Sequence, residues 1–574
     1  MSQPAIYSYS HRLSSINPST PQQTNMSDEQ TQAVAAAAKS HARPEGSKPF
    51  VYGTAGFRMN ADLLDPVMYS VGLLAALRSR KLKGQTIGVM VTASHNPAQD
   101  NGVKLVDPYG DMLEQSWESY ATTLANTPSE EMGEAYVKAA KDLGVDSDVP
   151  ANVIIARDTR PSGKALVDAL VDALKATGAQ YIDYGVLTTP QLHYLTRATN
   201  TQNDSHPYGE VSVEGYYKKM SEAYKTALRH DKPTGSLTVD CANGVGAVAL
   251  KEFMKYMPKE DDPSGGLKIN VANDRIDKPE VLNKGCGADF VKSGQRAPEG
   301  FNGKPFDRWA SYDGDADRVL YYFHEEGSIF RLLDGDRIAT LAATFIRELV
   351  QKAGLEEDLQ LAVVQTAYAN GASTKYIQDV LKLKVECTPT GVKHLHHVAS
   401  RYDIGVYFEA NGHGTVLFSQ NAQRKIRKAD PQSPAELEAL TTLRALTELI
   451  NQTVGDALSD MLLVEVILAQ KEYSVKEWNS TYEDMPNRLI KVLVPDKSDY
   501  ATVPGTAERK LEKPAGMQEK IDVLVEKYRD GRCFVRASGT EDAVRVYGEA
   551  SAAYDVDDML RNVEQLIKVT PKSG

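Results

Sequence analysis

Short continuous apolar runs alternate with amphipathic stretches along most of the chain. Thr86 to Val91, Asn152 to Ala156, Leu237 to Val239, Leu361 to Val364 and Ile404 to Phe408 are compact apolar runs rich in β-branched residues, which reads as buried strands. Between them, Gly163 to Ala176, Tyr216 to Arg229 and Asp336 to Ala353 carry apolar residues at helical spacing. This alternation predicts several α/β units with mainly parallel sheets. From about Tyr473 the texture changes, with strands near Leu489 to Val494 and Cys533 to Val535 and a final helix from Asp555 to Lys568. That stretch reads as a separate α+β domain.

At the other end, residues 1–25 are rich in Ser, Thr, Gln, Asn and Pro and hold too few apolar positions to order themselves, so a disordered extension is expected. Ser27-Asp28-Glu29-Gln30 has the form of a capping box and leads into an alanine-rich helix ending near His41. A length of 574 residues exceeds what one hydrophobic core supports, and several domains are expected.

Composition narrows the function. With 41% hydrophobic and 25% charged residues the chain is ordinary globular protein, and its net charge of -12 would repel a nucleic acid in the absence of a basic patch, which is not found. Cys241, Cys286, Cys387 and Cys533 are scattered without a CxxC pair, which suits a reduced, cytoplasmic setting. No window resembles a membrane span or a secretory leader. Neither a nucleic acid nor a membrane is an expected partner.

Four segments carry candidate chemistry. Thr92-Ala93-Ser94-His95-Asn96-Pro97 offers a serine hydroxyl beside a histidine, although a serine before Asn-Pro also suits a turn. Ten residues on, Lys104 returns towards the same loop, where it can steady an anionic serine ester or form a surface ion pair. In Tyr312-Asp313-Gly314-Asp315-Ala316-Asp317-Arg318, three alternate carboxylates repel one another unless a cation collects them. An EF-hand is excluded, because Arg318 and His324 occupy the positions that require glycine and glutamate. A divalent ion held by few protein oxygens and a phosphate is the magnesium arrangement.

Arg536-Ala537-Ser538-Gly539-Thr540 with Arg545 combines two guanidiniums, two hydroxyls and a glycine at a strand end, a pattern suited to clamping phosphate. Glu409-Ala410-Asn411-Gly412-His413-Gly414 places a carboxylate and an amide where they can grip vicinal hydroxyls. Arg58, in the loop Gly53 to Arg58, can face an anion or only solvent. His394-Leu395-His396-His397 lacks a ligand spacing and reads as structural, while Asn243-Gly244-Val245-Gly246 lacks the third glycine of a dinucleotide fingerprint.

Taken in order, these four loops resemble the α-D-phosphohexomutase superfamily over roughly residues 50–550. The resemblance implies an α/β chain of four domains around a central cleft, three mixed α/β sheet domains and a C-terminal α+β domain. It divides the sequence into an extension at 1–48, then 49–212 with the phosphoserine loop, 213–328 with the metal loop, 329–472 with the sugar loop and 473–574 with the phosphate loop. Within the superfamily the likeness is to the eukaryotic branch acting on N-acetylglucosamine phosphate, on the strength of Asp100 to Lys104, Asn411 and Thr540-Glu541-Asp542.

The implied activity is an isomerase reaction. N-acetylglucosamine 6-phosphate and 1-phosphate interconvert through a phosphoserine at Ser94 and a 1,6-bisphosphate, in amino sugar metabolism that supplies UDP-N-acetylglucosamine. The family pattern puts Mg2+ on Asp313, Asp315, Asp317 and a phosphoserine oxygen at Ser94, with the catalytic phosphate primed by a hexosamine 1,6-bisphosphate. His95, Lys104 and Arg58 become candidates for charge stabilisation and proton transfer. Thr390 and Gly391 help set sugar orientation, Glu409 and Asn411 grip ring hydroxyls, and Arg536, Ser538, Gly539, Thr540 and Arg545 hold the phosphate that is not reacting. Arg157 to Gly163 matches a family loop of structural role. A monomer acting on a small sugar phosphate is expected.

Two departures stand out. Ala537 replaces a proline often found in the phosphate loop, which should loosen it, and the first 45 residues have no counterpart in the family core, with Met26 available as a second start. A mutase for glucose, mannose or glucosamine phosphate is the neighbouring alternative. A catalytically silent sugar-phosphate-binding protein is the alternative of another class.

Overall fold

Alanine-rich sequence opens the described chain as the helix Asp28–Ala38, which buries Val34 and Ala38 against the first sheet unit. A computed structural model describes residues 28–53, 55–259, 266–538 and 542–569. The extension expected at residues 1–25 therefore lies outside the described residues, as do Ser27, Gly539 and Thr540.

Four sheets organise these residues. The first runs Phe57–Asn60, Asp100–Val106, Thr86–Val91, Asn152–Arg157, Gln180–Val186, and the second Phe330–Leu333, Val319–His324, Arg308–Tyr312, Ser236–Asp240, Lys268–Ala272. The third is Lys384–Thr388, Leu361–Thr366, Ile404–Phe408, Gly414–Phe418, and the fourth Asn487–Leu493, Ala543–Glu549, Arg532–Ala537. Central strands such as Thr86–Val91 and Ile404–Phe408 are buried at every position, which explains their unbroken apolar runs. The helices expected from periodicity are Gly163–Ala176, Val213–Leu228 and Gly335–Lys352, and the last helix is Ala553–Val569.

The sheets are mixed rather than mainly parallel. Thr86–Val91 pairs in parallel with Asn152–Arg157 but antiparallel with Asp100–Val106, and the second and third sheets repeat this combination. The cause is connection length. A parallel crossover needs about a dozen residues or more, whereas residues 92–99, 313–318, 409–413 and 538–542 join their strands directly. Each loop singled out by its chemistry is thus the connection of an antiparallel hairpin.

Packing ties the units together. Helix Ala457–Lys471 is buried almost throughout, with Glu465 paired to Arg308, and it lies in a core shared by the second and third sheets and helix Val213–Leu228. The fourth sheet keeps a core of its own, while the first buries one face in a separate core and contributes Met90, Val106, Ile154 and Ala156 to the shared one.

Candidate active site

The Ser94 hairpin is held in a conformation that costs free energy. Ser94 has φ of 51°, in the left-handed region, and is buried. Its amide donates to Thr92 Oγ1 at 3.0 Å, and its carbonyl accepts from Arg160 Nη2 at 3.1 Å and Asn283 Nδ2 at 2.9 Å. Both donors also reach the carbonyl of Asn96. Arg160 is itself fixed by an ion pair to Asp158, whose carboxylate accepts from Thr92. The segment Arg157 to Gly163 is thus structural in a specific sense, because it braces the serine loop. Ser94 Oγ donates to Asp313 Oδ2 at 2.6 Å, joining the first hairpin to the second.

Asp313, Asp315 and Asp317 are buried and converge, with one oxygen of each lying within 4.8 Å of the others. Gly244 packs on Gly314, where a Cβ would lie 2.5 Å from the Gly314 carbonyl, so the turn after strand Ser236–Asp240 shapes the acidic loop. Burial and the charges of Asp317 and Asp315 drive the Asp313 carboxyl well above its ordinary range. For Asp317 burial acts in the same direction, but His413 and Lys104 outweigh it and hold the group well below that range. Asp315 is lowered too, since Lys104, Thr189 and Arg58 overcome burial and the charge of Asp317. Oδ1 of Asp315 and Oδ1 of Asp317 are buried without a hydrogen-bond donor. An all-oxygen donor set with orphaned buried oxygens fits a hard divalent cation.

Cations ring these carboxylates. Lys104 Nζ lies 3.3 Å from Asp315 Oδ2 and 3.2 Å from Asp317 Oδ2, so it is an interdomain partner and not a surface ion pair. Arg318 Nε stands 3.6 Å from Asp313 Oδ2. The Arg58 guanidinium is pulled down from its ordinary value by burial and then by Arg318, with Asp315 and Asp317 opposing. Its Nε is buried without a partner, as is Nδ1 of His95. Burial, Arg318 and Arg58 push the His95 imidazole down to about 3. Three positive groups, Lys104, Arg318 and Arg58, and a neutral imidazole therefore lie around Ser94 and the triad, an arrangement able to receive a phosphoryl group.

The sugar loop is built by close approach. Gly412 has φ of 87°, and a Cβ there would sit 2.2 Å from the Val319 carbonyl. Gly335, opening helix Gly335–Lys352, touches the Glu409 carbonyl so closely that a Cβ would lie 1.8 Å from it. Glu409 Oε1 accepts from Gly391 N at 3.2 Å, and its Oε2 accepts from Asn411 Nδ2 at 3.3 Å. His413 Nδ1 stands 3.3 Å from Asp317 Oδ1, outside hydrogen-bonding geometry, which connects the sugar and acidic loops. Lys393 reaches across to Glu118 and the Leu113 carbonyl of the first unit.

In the fourth sheet, Arg536 and Arg545 face each other across an antiparallel pair, and Lys491 opposes Arg545 on its other side. Arg536 Nε donates to the Tyr368 hydroxyl at 2.8 Å, and Ser538 N donates to the Ala543 carbonyl at 2.8 Å. Asn283, Thr189, whose hydroxyl donates to Asp315 Oδ2 at 2.6 Å, and Arg160 were not legible as site residues. Arg160 alone left a trace, as part of the segment Arg157 to Gly163 read as structural.

This geometry has relatives. Residues 334–473 and 204–320 match the family models described as Phosphoacetylglucosamine mutase AMG1, domain III and domain II. Residues 68–132 and 124–204 match the alpha/beta/alpha domain I of phosphoglucomutase/phosphomannomutase, and residues 489–565 match its C-terminal domain. The phosphoacetylglucosamine mutase of Candida albicans is 47% identical over 547 residues, 92% of this chain and 98% of its own. That of Sus scrofa is 49% identical over 536 residues, covering 92% and 96%. The solved structure of Aspergillus fumigatus N-acetylphosphoglucosamine mutase in complex with GlcNAc-6P and magnesium is similar at 56% identity and a TM-score of 0.91, covering 94% of this chain and 99% of that one.

Proposed function

The chain belongs to the phosphoacetylglucosamine mutase family, and on that premise we propose that it interconverts N-acetylglucosamine 6-phosphate and N-acetylglucosamine 1-phosphate through a phosphoserine at Ser94 and a 1,6-bisphosphate. The observation that carries the site assignment is the buried hydrogen bond of 2.6 Å from Ser94 Oγ to Asp313 amid the ring of cations. A primed Ser94 gives its phosphoryl group to the free sugar hydroxyl. The Ser94 oxygen–phosphorus bond breaks as the sugar oxygen–phosphorus bond forms. After the bisphosphate turns over, Ser94 Oγ takes the other phosphoryl group, so the enzyme returns to its phosphorylated state.

Phosphoryl transfer demands charge stabilisation more than covalent help. Asp313, Asp315, Asp317 and a phosphoserine oxygen would hold Mg2+, which when bound offsets charge on the transferring group. Lys104, Arg58 and Arg318 contribute fixed positive charge there. Of the candidates for proton transfer, Lys104 and Arg58 are cations, and the His95 ring, held neutral and weakly basic by burial and by Arg318 and Arg58, shapes the site beside Ser94. Glu409, Asn411, Thr390 and Gly391 orient the sugar. Arg536, Ser538, Gly539, Thr540 and Arg545 hold the phosphate that is not reacting, whichever end of the sugar carries it.

One loop from each sheet unit supports the division into 49–212, 213–328, 329–472 and 473–574, and the presence of all four candidate loops on one chain supports action as a monomer. Among the described residues no helix is long and apolar enough to cross a membrane, and all four cysteines are free, both of which suit the cytoplasm. Turnover compared on the phosphates of N-acetylglucosamine, glucosamine, glucose and mannose tests the substrate. N-acetylglucosamine phosphate should be preferred, and a clear preference for glucose 1-phosphate would overturn the reading.

A further inference from the structure

One carboxylate reaches the phosphate clamp and the sugar loop together. Glu508 lies on the connection between strand Asn487–Leu493 and helix Met517–Val525, in a turn where Gly505, Ala507 and Glu508 have φ of 80°, 51° and 60°. Left-handed backbone at an alanine and a glutamate in succession costs free energy and persists where the fold needs a side chain aimed. Ala507 is buried and anchors the turn. Glu508 Oε2 accepts from both Thr390 N, at 2.9 Å, and Thr390 Oγ1, at 2.7 Å. Glu508 Oε1 stands 3.8 Å from Arg536 Nη1. The carboxylate thus occupies the amide and hydroxyl that Thr390 would offer a sugar phosphate, and neutralises the arginine that would hold the phosphate.

We propose that Glu508 is a positioning residue that keeps the phosphate seat assembled in the ligand-free chain and is displaced from it by the substrate's phosphate. This rests on the reading of Arg536 as part of the phosphate clamp. A dianion seated on Arg536 and Arg545 would lie against the Glu508 carboxylate, and like charges at that spacing repel in a half-buried site. Displacing Glu508 releases Arg536 and both Thr390 donors at once, so one anion is exchanged for another over a preformed set of donors. Return of Glu508 then assists release of the bisphosphate or product. The exchange breaks and forms hydrogen bonds and ion contacts only.

The sign of one substitution separates this role from a purely structural one. In the Ser94→Ala chain, which binds without turnover, calorimetric titration with N-acetylglucosamine 6-phosphate should show Glu508→Gln binding tighter by about threefold to tenfold, because the competing charge is gone. Glu508→Asp, which keeps the charge, should stay near the parent. In the Arg536→Ala background, Glu508→Gln should change affinity by less than about twofold. With Ser94 intact, Glu508→Gln should lower KM without raising kcat. Unchanged or weaker binding by Glu508→Gln, in a chain whose melting temperature matches the parent, overturns the proposal while leaving the mutase reading in place. Failure of the parent chain to bind or convert the sugar phosphate overturns both.

Discussion

Asp315 shows how much one side chain carries at this site. It accepts from Thr189, pairs with Lys104 and keeps a second oxygen buried without a donor. Asp315→Ala should lower turnover by at least about a hundredfold, the scale on which a metal-binding oxygen matters in phosphoryl transfer. Its melting temperature should fall by only a few degrees, because the lost partner of Lys104 and Thr189 is partly offset by relief of repulsion from Asp313 and Asp317, so the loss of turnover exceeds the loss of folded protein. Activity retained at the parent level, measured with Mg2+ in excess, would contradict the assignment.

His193 makes a separate prediction about pH. Burial holds its imidazole down to about 4 against an ordinary 6.5, Lys104 adds to this, and the bond from its ring to the Gly110 carbonyl opposes it. Between those values the unfolded chain binds the proton and the folded chain does not. Stability is therefore full above pH 6.5 and falls as the pH drops towards 4, by about 3 kcal/mol at 1.36 kcal/mol per pH unit. His193→Asn keeps a donor for Gly110 and should lose that component. Denaturant titrations of both chains at pH 7 and pH 4.5 check this, and parallel losses would contradict it.

At the scale of elements, the hairpin is the device that brings reactive groups together. Gly412 makes the sugar hairpin possible by letting the chain turn against strand Val319–His324, whose first amide donates to the Gly412 carbonyl at 3.2 Å. Gly412→Ala adds a Cβ 2.2 Å from the Val319 carbonyl in a left-handed conformation. A loss of about 2–4 kcal/mol in stability and a KM raised several-fold are expected, read by thermal unfolding and steady-state kinetics. An unchanged KM would show that the loop does not orient the sugar.

The same elements mark what a sequence reveals. Strands such as Thr86–Val91 and Ile404–Phe408 were legible because burial on both faces leaves only apolar residues, and the acidic triplet because its charge repulsion needs an explanation. The antiparallel pairing beside each was less legible, since it follows from connection length and not from the strand pattern. Asn283 left no signal at all. It acts on Ser94 across 189 positions of sequence, where a single amide carries no periodicity and no motif. Glu508 was hidden for the same reason, as its meaning lies in the distance to Thr390 and Arg536.

At the scale of the whole molecule, function depends on contacts between units. Ser94 meets Asp313 and Asn283, Gly412 meets Val319, Lys393 meets Glu118, and Arg532 donates to the carbonyls of Ala367 and Ala369 while Glu549 accepts from Gly371 N. These bonds tie the first three units into a ring and attach the fourth unit to the third. The chain as a whole carries a net charge of -12, so on the proposed reading an anionic substrate is drawn by local cations such as Lys104, Arg58, Arg318, Arg536 and Arg545 against the overall charge. The central claim is that Ser94 carries the phosphoryl group around that ring. Incubation with the bisphosphate followed by intact-mass measurement and peptide mapping tests it most directly. One phosphoryl group should appear on Ser94, leave when N-acetylglucosamine 6-phosphate is added, and never appear in Ser94→Ala. A chain that stays unphosphorylated while converting the sugar phosphate would contradict the account.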